Sequence, residues 1–205
     1  LPIAFSNVLR ELRAAGWIHA TVSSGQAFGA DLECVGLASA LQAARVLLGV
    51  DLVVVSQGPG NAGTGTPYGF SGIDQGAWCD TAGALGARVS AVARCSDADP
   101  RARHRGISHH TVTALGTFAQ RRATLAFPSH RPDLIESARS GPLGARHRVL
   151  GVDTAPGMDV LRASGLRVSS MGRGLDDDPI FFAAGVAAGA AAMLPEDESD
   201  VMHPA

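Results

Sequence analysis

The chain has 205 residues, 46% of them apolar and 18% charged, with a formal net charge of -2. That length suits one domain with a sizeable core, and the near-neutral balance gives no reason to expect nucleic acid as a partner. The longest apolar stretch, the Ala/Gly-rich segment 179–194, is shorter than the roughly twenty residues that cross a bilayer, so no membrane partner is expected either.

All 17 basic residues are Arg. That preference reads as GC-rich codon bias, and Arg still offers bidentate contacts to phosphate and carboxylate. Three cysteines, Cys34, Cys79 and Cys95, form no CxxC and no even set. They read as small buried hydrophobes in a reducing cytoplasm.

Ser6 caps a predicted helix over 7–15, and Gly16 stops it. Alternation predicts a strand over 17–22. A glycine-bearing loop, 23–30, leads to Asp31, read as the cap of a helix reaching Leu48. The run Leu52-Val53-Val54-Val55 has no alternation and predicts a strand covered on both faces.

Next comes QGPGNAGTGTPYGFSG, residues 57–72, with Gly58, Gly60, Gly63, Gly65, Gly69 and Gly72. Glycine at that density costs backbone entropy unless positive φ or close ligand approach requires it. Gly58-x-Gly60-x-x-Gly63 formally fits a dinucleotide fingerprint, but Pro59 stiffens the turn and the helix starts too late for it. The stretch reads better as a nest of backbone amides. Asn61, Thr64, Thr66 and Ser71 add polar groups around it.

A helix over 73–85 follows, then a strand over 88–94. The next loop carries Asp97, Asp99, Arg101, Arg103, His104 and Arg105, and Ser108 caps a helix opening with His109 and His110. Three Arg so close together can clamp an anion. A helix start favours neutral imidazole, so His109 and His110 are candidates for general acid/base, with Asp97 or Asp99 orienting them. The same residue types admit a metal: Asp97 or Asp99 with His104, His109 or His110, although the spacing matches no known signature. Short strands are expected at 124–127 and 148–152, helices near 133–138 and over 156–163. A last helix opens at Pro179, behind Asp176 to Asp178, and a solvated acidic tail follows. Gly185 and Gly189 offer that helix a close-packing face for a homodimer.

Alternating strands and helices predict an α/β fold, a mostly parallel sheet with helices on both faces, plus the final Ala/Gly-rich helix. Residues 1–165 form the expected core domain, with 166–205 packed on it.

The stretches DLVVVSQGPGNAGTGTPYGFSG, DADPRARHRGISHHTVTALG and SSMGRGLDDDP resemble a bacterial family of uncharacterised proteins, domain-of-unknown-function family 3866. The resemblance spans nearly the whole chain. Members are longer at the amino end, so it implies a fragment. It brings no activity, cofactor or catalytic residue. From the residues themselves the leading expectation is a cytoplasmic enzyme binding a small anionic, phosphorylated metabolite. The alternatives are a metal-dependent hydrolase and a non-enzymatic ligand-sensing or assembly module. Cofactor and metal remain unknown.

Overall fold

The computed structural model describes residues 3–58 and 61–195, so Pro59, Gly60 and the acidic tail lie outside the described residues. The architecture is α/β. Three parallel strands form the central sheet: β3 (Ser90–Ala91), β6 (Thr124–Pro128) and β7 (Arg148–Val152), in the order β3-β6-β7. β6 and β7 align residue by residue from Thr124↔Arg148 to Pro128↔Val152.

Successive side chains of β6 point to opposite faces of the sheet. Leu125 and Phe127, both fully buried, join Leu134 and Ala138 of α5 (Pro132–Ser140) and Leu143 of α6 (Pro142–Arg146). Ala126 meets Ala187 and Ala191 of α8 (Pro179–Ala192) on the other face. Small side chains on both partners let α8 lie close to the sheet. Its amide ladder is tied down as well. Ser90 Oγ donates to the Ala188 carbonyl at 2.7 Å, and Arg88 donates to the carbonyls of Ala192 and Leu194. A cation at a helix carboxyl end also complements the helix dipole. Alongside α8 lies α7 (Ala155–Ala163), where Gly157 abuts the Val186 side chain. Gly185 and Gly189, by contrast, face open space.

The amino-terminal region departs from expectation. α1 (Asn7–Ala14) forms as read, with Ser6 Oγ accepting from the Leu9 amide at 3.3 Å. The expected strand over 17–22 shifts to β1 (Val22–Ser24), which pairs in parallel with β2 (Leu32–Cys34). Asp31 is therefore not a helix cap. Its carboxylate accepts two bonds from Arg13 at 2.9 Å each and one from the Thr21 amide at 2.8 Å, which hold its pKa down at about 2. The helix begins later, as α2 (Leu37–Val46).

Residues 52–56 form no strand. The run lacks a ladder partner among the described residues, and its side chains lie open, Val54 at 86% exposure. Lack of alternation is shared by strands covered on both faces and by apolar chain that no sheet has taken up.

From the carboxyl end of β3 the chain passes Arg94 and enters β4 (Cys95–Ser96). β4 pairs antiparallel with β5 (Gly106–Ile107), and the Asp97–Arg105 loop closes that ribbon. α4 (His109–Thr113) follows and widens into a π-helical turn, Ala114–Phe118. α3 (Asp74–Ala84), which follows the glycine loop, packs on that turn through Gly76. The sheet edge, the ribbon and α3 thus bring the two polar loops face to face.

Candidate functional site

Residues 61–72 fold into a tight hairpin. The Thr64 amide donates to the Gly69 carbonyl at 2.7 Å, and the Ser71 amide to the Ala62 carbonyl at 2.9 Å. Most of the side-chain polarity is spent inside the loop. Thr64 and Thr66 hydroxyls lie 2.9 Å apart, Thr66 Oγ1 accepts from the Gly69 amide, and Ser71 Oγ donates to Asn61 Oδ1 at 2.6 Å. Gly65 has φ +78°, a conformation that disfavours any side chain, and at Gly69 a Cβ would overlap the Thr64 and Thr66 hydroxyls. Gly63 and Gly65 line the cleft, and their amides make no hydrogen bond among the described residues.

Opposite the loop stand Arg94, Arg101 and Arg103, enclosing a cleft of about 260 Å³. Asp99, fully buried, organises the first two. It accepts from Arg101 Nε and Nη2 at 2.9 Å each and from Arg94 Nη2 at 3.3 Å, with Arg173 Nη2 3.7 Å away. The Arg101 bonds hold its carboxyl well below the usual carboxylate range. Arg103 is different: it is exposed and makes no hydrogen bond or ion pair among the described residues. Met171, the one non-glycine residue with positive φ among the described residues (φ 52°), sets its Sδ 3.4 Å from Arg101 Nη2. A second buried carboxylate, Asp178, holds the ribbon's base through Ser96 Oγ, the Asp97 amide and Arg173 Nε.

Three imidazoles form the floor. Ring centroids lie 4.9 Å apart for His104 and His109, 4.8 Å for His104 and His110, and 4.4 Å for His109 and His110. His110 stacks on Phe70, with centroids 3.9 Å apart and planes 3° from parallel. Burial, reinforced by Arg94, pushes the His104 pKa down to about 4. His110 falls to about 4 through burial and its two histidine neighbours, and His109 is lowered by burial and Arg103. All three are therefore neutral near pH 7.

Two of the three strand-following loops read from the sequence share this cleft. Asn61, Gly63, Gly65, Thr66, Arg101, Arg103, His104, His109 and His110 line it. Thr64 and Ser71 lie behind, shaping the loop. Gly58 is exposed and outside the lining, Gly60 is outside the described residues, and Arg105 turns away to the Asp99 carbonyl at 2.9 Å. Asp97 pairs with Arg131 at 2.6 Å, beside a second cleft of about 340 Å³ near Thr154 and Met158. The loop 23–30 does not line the histidine cleft.

Arg94, Phe70 and Met171 line the cleft without having been singled out from sequence. Arg94 and Phe70 carried no legible signal, since each looks like an ordinary strand-end or loop residue. Met171 had one: it sits in a glycine-rich turn.

The sequence matches the family described as Protein of unknown function (DUF3866) over residues 1–189, and the chain belongs to that family. No curated protein and no solved structure matches it.

Proposed function

We propose that this DUF3866 member is an enzyme whose cleft binds a small phosphorylated metabolite. The carrying observation is that solvent-exposed groups suited to an anion, with no protein partner among the described residues, share one cleft of about 260 Å³: the Gly63 and Gly65 backbone on one wall, the Arg103 guanidinium on the other. Backbone nests and Arg are the usual anion holders, and a phosphate offers oxygens to both at once. Enzymatic use is supported by the buried His104 and half-buried His110 imidazoles in the same cleft, whose pKa values burial lowers.

The test is a thermal-shift panel of inorganic phosphate, sugar phosphates and nucleotides, followed by calorimetry on the best binder. Arg103→Ala should weaken that binder about 10–100-fold, the worth of one charge-assisted hydrogen bond. The melting point of the unliganded protein should hardly move, because Arg103 supports nothing else. If no phosphorylated compound shifts the wild type, or if Arg103→Ala binds as well as wild type, the reading fails.

A further inference from the structure

We propose that His104, His109 and His110 hold a zinc-class divalent ion, with one coordination position left open toward the glycine loop. Their ligand-capable atoms all lie within 4.8 Å of one another. A tetrahedral ion with bonds of about 2.0–2.1 Å spaces its ligand nitrogens roughly 3.4 Å apart, so small ring rotations close the set.

The hydrogen-bond pattern points the same way. His104 is 1% exposed, yet its Nε2 has no partner, and neither does the buried Nε2 of His109. Leaving two such atoms bare costs about 1–3 kcal/mol each unless something satisfies them. On the other side of the His104 ring, Nδ1 lies 2.7 Å from Ser108 Oγ, which also accepts from the His110 amide at 3.2 Å. With two lone pairs, that oxygen can accept from Nδ1–H as well. This tautomer leaves the Nε2 lone pair free, the arrangement that fixes metal-bound histidines elsewhere.

Asp99 does not complete the set, because the guanidiniums of Arg94 and Arg101 occupy it. Three imidazoles alone match the open-position type of zinc site. Nearby Arg residues would oppose a bare dication, and an anion in the open position balances them. That last placement rests on the phosphate reading above; the ion site itself does not. Ligation would also take His109 and His110 out of proton transfer, leaving that task to metal-bound water.

The test uses the untagged 205-residue chain stripped with a chelator, then titrated with Zn²⁺ by calorimetry and with Co²⁺ by visible absorption. One ion per chain is expected, with the d–d bands of a tetrahedral site. His109→Asn and His110→Asn, checked for native circular dichroism, should each weaken Zn²⁺ more than about 100-fold. Ser108→Ala should weaken it about 10–100-fold, as loss of a ligand-orienting partner does. The inference is overturned if no ion binds, or if the double variant His109→Asn/His110→Asn binds as tightly as wild type. Titrating the metal-free protein with inorganic phosphate separates the two readings. Phosphate without Zn²⁺ binding removes only the ion, and Zn²⁺ binding with no phosphate in either form removes only the phosphorylated ligand.

Discussion

Asp99→Ala is expected to lose about 3 kcal/mol of stability, roughly 6–12 °C in melting point for a chain of this size. Asp99 is fully buried and gathers three guanidiniums, those of Arg94, Arg101 and Arg173. It also accepts from the Arg101 amide at 3.0 Å. Removing the carboxylate leaves Arg94 and Arg101 facing each other without their anion, while Arg173 keeps Asp178 at 3.2 Å. The low end of the usual range for breaking a buried pair applies here. Arg101 is 39% exposed and regains water, whereas Arg94 and Arg173, at 24% and 17%, regain less. Asp99→Asn keeps the shape and some of the bonds, so its loss should be smaller. Chemical denaturation of the three proteins measures both. An Asp99→Ala variant as stable as wild type would show that the Arg cluster does not need its anion.

Gly76→Val is expected to abolish folding, and Gly76→Ala to cost about 1–3 kcal/mol. A Cβ at this position would meet the Ala114 carbonyl oxygen at 2.5 Å and the Ala119 amide nitrogen at 3.0 Å. Both are backbone atoms, so neither can swing aside. They are the two ends of the π turn's own wide bond, Ala119 N–H to Ala114 O at 3.1 Å. Ala would gain about 1 kcal/mol in helix propensity over Gly, which the clash outweighs. His147 braces the same turn, its Nε2 donating to the Leu115 carbonyl at 2.9 Å while Nδ1 accepts from the Ala123 amide. The π turn continues α4 directly, so pushing it also moves His109 and His110. Soluble expression and circular dichroism settle the Val variant, and melting curves the Ala variant; equal melting for Gly76→Ala would refute the tight contact.

The fold was legible where structure is local. Ser6, Ser108 and Pro179 each announced a helix start, and β7 occupies the very span expected for it. Both polar loops of the cleft also stood out, because glycine density and an Arg/His cluster are visible without tertiary contacts. What failed depended on distant partners. Residues 52–55 look like a strand, but a strand exists only when another pairs with it. Asp31 looks like a cap, but Arg13, eighteen residues earlier, claims it. Asp97 and Asp99 looked equivalent, yet one faces Arg131 and the other the Arg cluster. Ion-pair choice is set by topology, which residue types do not reveal.

Amide hydrogen exchange with and without saturating inorganic phosphate tests most directly whether the two loops form one anion cleft. Gly63 to Phe70 and Arg101 to His110 should become protected together, while β1 and β2 exchange as before. Protection confined to the cleft beside Arg131 and Thr154, or no protection in either loop, would contradict the account.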